Sequence, residues 1–137
     1  MGMTMTKVKV AEATNTQLDW LVAKCEKAEI TLDTSLPDYP LLVIAGEEEL
    51  VNDLYAGYSP TDDWSLIGPI IRREKINLEY DHDWEYDIED PDDNGERWQA
   101  IYYGQYHHYG STPLVAACRC YVESKLGEVV EVPKELT

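Results

Sequence analysis

From Ile76 to Glu89 the chain alternates without a break: Ile76, Leu78, Tyr80, His82, Trp84, Tyr86 and Ile88 take the even positions, while Asn77, Glu79, Asp81, Asp83, Glu85, Asp87 and Glu89 take the odd ones. Successive side chains of a β-strand point to opposite faces of the sheet. A period-2 pattern this long therefore predicts one strand with an aromatic face on the core and a carboxylate face in water. Pro91-Asp92-Asp93-Asn94-Gly95 is a strong turn signal that ends it. Arg97 to about Tyr106 reads as the return arm, with Trp98, Ala100 and Tyr102 on the same side as Trp84. The expectation is a long hairpin.

The remaining elements read as shorter. Lys7 to Val10 alternates like a brief strand, Thr14 to Thr16 supplies helix N-cap chemistry, and Thr16 with Asp19 three residues on resembles a capping box. Leu18, Leu21, Val22 and Cys25 then follow at helical spacing, predicting an amphipathic helix to about Ala28. Asp33 to Pro40 is turn-rich, and Leu41 to Ala45 is an apolar run suited to a buried strand, stopped by Gly46. Glu47 to Tyr55 reads equally as a short helix or a hairpin arm, and Gly57 to Pro60 as a loop. Asp62 or Asp63 can cap a short turn through Trp64, with Gly68-Pro69 breaking it. Pro69 would then open a second turn, Ile70 to Glu74, where its missing N–H costs nothing. Thr112 caps and Pro113 opens a last helix with a stripe of Leu114, Cys118, Tyr121, Val122 and Leu126. Gly127 stops that helix, and Glu128 to Val132 adds an edge strand. Together these predict a single α+β domain over residues 1–137, a small antiparallel sheet with a long hairpin packed against two amphipathic helices.

Charge narrows the range of partners. With 27 acidic against 11 basic residues the net charge is −16, and ten of the carboxylates fall between Glu79 and Glu96. Such a chain repels the phosphate backbone, so direct nucleic-acid binding is not expected. A row of carboxylates on a twisted strand could instead imitate DNA phosphates. The plainer reading is a solvated face that keeps the protein soluble. No stretch approaches the about 18 apolar residues of a membrane helix, and the N-terminus lacks signal-peptide organisation, which points to the cytoplasm. Cys25, Cys118 and Cys120 are an odd number within apolar helical patterns and read as reduced core thiols.

Catalytic and metal signatures are weak. Asp90 to Gly95 reproduces the first six positions of a calcium loop, but position 12 is Ile101 rather than glutamate, so a bare turn is favoured. His107-His108 beside Cys118 and Cys120 invites zinc. Yet Cys-x-Cys on a helix of about 3.6 residues per turn points its thiols about 200° apart, so core packing is favoured and no metal or cofactor is expected. No serine or cysteine sits in a nucleophile context and no carboxylate pair stands out, so enzyme activity is not expected. The most suggestive cluster is Tyr58, Asp63, Trp64, Gly68, Pro69, Arg72 and Arg73, with Arg119 as a possible addition. There, N–H groups at a helix start beside arginines can hold an anion and Trp64 can stack a ring, which suits a nucleotide-like ligand. The alternative is a structural loop in which Trp64 anchors the core and Arg72 pairs with surface acids.

Several blocks together carry a resemblance. Leu18-Asp19-Trp20 with Val22 to Glu26 forms the first, and Tyr58-Ser59-Pro60 leading to Asp63-Trp64 and Gly68 to Ile71 the second. Thr112-Pro113-Leu114, Ala116-Ala117, Arg119 to Val122 and Ser124 to Gly127 form the third, with a closing Val132-Pro133. In this order they resemble the NinX-type family of phage proteins, a domain-of-unknown-function family. The chain departs from it at Leu66-Ile67 and in the acidic stretch from Glu79 to Asn94, so charge mimicry would not describe the family as a whole. The resemblance implies a small phage or prophage accessory protein made in the bacterial cytoplasm, and brings no catalytic residues. The leading expectation is a non-enzymatic module that binds a host or phage protein. A small-molecule binder is the alternative and an acidic DNA mimic the third.

Overall fold

The computed structural model describes residues 4–27, 30–33, 41–44, 58–85, 88–91 and 94–137. In chain order they form strand β1 (Met5–Lys9), a 3-10 turn (Val10–Glu12), helix α1 (Asn15–Cys25), β2 (Ile30–Asp33), β3 (Leu41–Ile44), α2 (Trp64–Glu74), β4 (Asn77–Tyr80), β5 (Trp98–Tyr102), β6 (Tyr106–Gly110), α3 (Pro113–Leu126), β7 (Val129–Pro133) and a 3-10 turn (Lys134–Leu136). The α+β class holds. The strands pair antiparallel into three small sheets, β1 with β7, β2 with β3, and β4-β5-β6, and the helices number three among the described residues. No helix among those residues is long and apolar enough to cross a membrane.

α3 organises the rest. It begins where its sequence says, with the Thr112 hydroxyl accepting the Val115 N–H at 3.2 Å and Pro113 opening the first turn, and it stops at Gly127, whose φ is 95°. Its stripe, however, is not confined to one side. Leu114 to Cys118 and Cys120 to Val122 are all buried, because α1 covers one flank and β5 and β6 the other. The sheet comes close enough that a methyl group on Gly110 would stand 2.7 Å from the Ala116 backbone nitrogen. α1 is similarly enclosed, with Gln17 to Ala23 buried without interruption. Its cap is Thr14 rather than Thr16: the Thr14 hydroxyl accepts the Gln17 N–H at 3.3 Å and the Gln17 side chain accepts the Thr14 N–H at 2.9 Å. That frees Asp19 from capping and leaves it inside.

Two further expectations are corrected. Among the described residues the alternating segment is a strand only over Asn77–Tyr80, after which the Asp81 carboxylate accepts the Asp83 N–H at 3.1 Å and the Asp81 carbonyl accepts the Trp84 N–H at 3.3 Å. Short acidic side chains that bond their own backbone compete with a β-ladder, and here they win as soon as β5 ends opposite Tyr80. Ile88 is 83% exposed. The predicted return arm does pair back, β5 running antiparallel to β4, and it is also the centre of a three-stranded meander, turning at Tyr103 and Gly104, both at positive φ (54° and 63°), into β6. The second correction concerns α2, which runs unbroken through Gly68-Pro69 from a cap at Asp63, whose carboxylate accepts the Ser65 N–H at 2.9 Å. Pro69 only removes the bond to the Ser65 carbonyl four residues back, and Ser65 is exposed, where water replaces it.

β1 pairs with β7 in the register Lys7 to Glu131, which joins the two ends of the described chain. β3 matches the apolar run from Leu41, while its partner β2 had no clear sequence signal. The readings of 34–40, 45–57 and the turn at 92–93 lie outside the described residues.

Candidate functional site

The residues singled out on α2 fall into one stripe. Trp64 is the first helical residue and 53% exposed, so it does not anchor the core. Gly68, Pro69 and Arg72 follow on the outward side and, with Arg73 and Lys75, line a shallow depression. No neighbouring atom lies within 4 Å of the place a Gly68 side chain would fill, so the middle of the stripe is flat and open. Arg72 makes no ion pair with the described residues. Because α2 is continuous, the N–H groups that Gly68-Pro69 would have exposed are inside a helix, and the anion reading loses its geometric premise there. Tyr58 is half-buried against the core, and burial raises its hydroxyl above the ordinary phenol range.

The inner side of α2 is bound at both ends by carboxylates of α1. At one end Asp19, 7% exposed, accepts the Thr61 N–H at 2.9 Å, just before the Asp63 cap. Burial pushes its carboxyl up to about 7 against the Thr61 hydrogen bond, which pulls the other way, and Asp62 adds repulsion. At the other end Arg73 donates to both Glu26 oxygens at 3.0 and 2.8 Å and to Glu74 at 2.8 Å. Tyr121 donates to Glu26, Tyr102 donates to Glu74 at 2.7 Å, and Lys125 stands 3.3 Å from Glu74. The Arg73 bonds hold Glu26 below the ordinary carboxylate range and, with Tyr102, bring Glu74 down to about 2.

Arg119 does not belong to this face. It lies across α3, donating to the carbonyls of Tyr109 at 2.6 Å and Ala13 at 3.2 Å, and its Nε is buried without a hydrogen-bond partner. It lines a separate cleft of about 160 Å³ with Trp84, Arg97, Tyr109 and Ser111. There the Arg97 guanidinium lies 3.7 Å from the Tyr109 ring centre and 4.6 Å from that of Trp84. Sequence reasoning left Arg97 out. The signal was an arginine placed directly after the acidic stretch and next to the aromatic strand residue Trp98, but the Trp84 that packs on it lies beyond the end of β4.

The metal constellations do not converge. His107 is exposed and 3.3 Å from the Gly104 carbonyl, whereas His108 is buried with Nε2 3.2 Å from Glu123. Burial lowers the His108 imidazole below its ordinary range. Cys120 donates to the Ala100 carbonyl at 3.0 Å and burial pushes it up to about 12, as it pushes Cys25 to about 11 and Cys118 well upward, so all three remain thiols at neutral pH. Among the described residues no three His, Cys, Asp or Glu stand together within reach of one ion.

The chain matches the family model described as Bacteriophage P22, NinX over residues 9–125. That span begins at the last residue of β1 and ends within α3, so it takes in the two α1 carboxylates, the whole of α2 and the three-stranded sheet. No protein of curated function matches the chain.

Proposed function

We propose that this chain, which belongs to the NinX family of bacteriophage proteins, is an accessory protein that works without catalysis by binding another protein of the phage or its bacterial host, in the host cytoplasm. The observation that supports this reading is the outward stripe of α2. An exposed indole at Trp64 leads onto the open surface of Gly68 and Pro69 and then to Arg72, which makes no ion pair among the described residues. Exposed tryptophans and arginines on a flat floor are the usual anchors of protein interfaces. The partner that fits has an apolar notch for the indole and a carboxylate for Arg72. The inner side of the helix supplies rigidity, since Asp19 and Glu26 fix its two ends and an interface made of preordered side chains binds at less entropic cost.

Capture from lysate of infected cells, comparing the native chain with Trp64→Ala and Arg72→Ala, tests this directly. A partner held by the native chain and lost from both variants supports the reading. Equal capture by all three removes α2 from it.

A further inference from the structure

Arg97 differs from the other arginines in what is left of it to bind. Two rings pack against it, with the guanidinium carbon 3.7 Å from the Tyr109 ring centre and 4.6 Å from that of Trp84, which restricts its orientation. Its side chain is 31% exposed and donates no hydrogen bond among the described residues. Among the described residues its only ion pair is with Asp81, whose carboxylate is 3.7 Å from Nε, beyond hydrogen-bond length. A planar fork fixed by stacking, with its N–H edge facing a cleft, is the geometry that takes a carboxylate or phosphate in two parallel hydrogen bonds.

The surroundings fit such a guest. Arg119 brings a second positive charge to the same cleft, immobilised by two backbone carbonyls, and Ser111 adds a hydroxyl to the wall. Two carboxylates, Asp90 and Glu96, also line the cleft, and the Glu96 side chain accepts the Trp98 indole N–H at 3.3 Å. At about 160 Å³ the cleft has room for a handful of waters or one small ligand. We infer that this cleft binds a small oxyanion, a carboxylate or a phosphate monoester, through the fork of Arg97 with Arg119 as the second charge. It is independent of the α2 face, so either can fail alone.

The test uses the whole chain, 15N-labelled, with inorganic phosphate and succinate as separate probes and sodium chloride at matched ionic strength as control. The Arg97 Nε–H resonance should move in a saturable way with one or both probes and not with chloride. Which probe moves it identifies phosphate or carboxylate as the ligand group. Arg97→Lys keeps a cation between the two rings but loses the fork, and should abolish the thermal stabilisation that the effective probe gives the native chain, while Trp64→Ala should leave it intact. No movement with either probe, an equal movement with chloride, or an undiminished stabilisation in Arg97→Lys overturns the assignment. If Arg97→Lys does not fold, the native resonance decides.

Discussion

Asp19 and Glu26 lie seven residues apart on α1, about two turns, and so on one face of the helix. Each secures one end of α2, yet they answer to pH in opposite ways. Glu26 meets a guanidinium, and the charged form is the favoured one; Asp19 meets the uncharged N–H and hydroxyl of Thr61, and burial favours the proton. The same side-chain chemistry on the same surface of the same helix is thus stabilising as an anion at one end and costly as an anion at the other. What differs is whether the partner brings a full positive charge.

The largest effect expected from this contrast is a gain. Asp19→Asn keeps an oxygen for the Thr61 N–H and removes the ionisation. With the folded group at about 7 against 3.8 in the unfolded chain, it should raise stability at pH 8 by about 4 kcal/mol, at about 1.4 kcal/mol per unit. The folded chain holds that proton more tightly than the unfolded one, so native stability falls as pH rises from about 4 to about 7, and the gain of the variant should disappear below about pH 4. Urea unfolding across that range checks it; an unchanged slope in Asp19→Asn would show that Asp19 does not titrate there.

Next in size is Arg73→Met. Its guanidinium is half-exposed, so the discounted loss is about 1–2 kcal/mol at neutral pH, in spite of five charged or hydroxyl groups meeting there. Here the sign reverses. Glu26 and Glu74 are held below their ordinary range, so their contribution is present above pH 4.5 and lost as pH falls toward 2, and the deficit of the variant should close in acid. A deficit that persists at pH 2 would assign the effect to packing against Tyr121 instead. The native chain should then be most stable near pH 4 to 5, between the two windows, as urea midpoints taken at low protein concentration would show. Smallest of all is Arg72→Ala, one residue away but without an ion pair among the described residues, which should change stability by less than about 0.5 kcal/mol while weakening partner capture. A large loss of stability would move Arg72 from the docking face into the scaffold.

The sequence disclosed more of the helices than of the sheet, and for a definite reason. Thr112, Pro113 and Gly127 act on residues within four positions of themselves, so their reading needs no knowledge of the fold, and the structure places α3 between them. The alternation from Ile76 is equally regular, but a strand exists only where another strand bonds to it, and nothing local says that β5 runs out opposite Tyr80. Gly68-Pro69 misled in the other direction: proline at the sixth position of a helix is tolerated when the freed carbonyl faces water, and that depends on which side of α2 is outside. Of the candidate site, Trp64, Gly68, Pro69 and Arg72 share one face as the helical period requires. Arg119 was separated from them, and Arg97 was missed.

By itself, then, the sequence determined the α+β class, the caps that begin and end α3, and an acidity that bears on any partner, since these are set by composition and by interactions a few residues long. The tertiary structure decided how far the alternating segment remains a strand, that α1 and α3 are enclosed rather than one-sided, and which carboxylates are charged. Burial, hydrogen-bond partners and stacked rings come from segments distant in sequence. Asp19 finds Thr61 42 residues on, and Glu26 finds Arg73 47 residues on. Periodicity assigns a side to each residue, but only packing assigns it a neighbour.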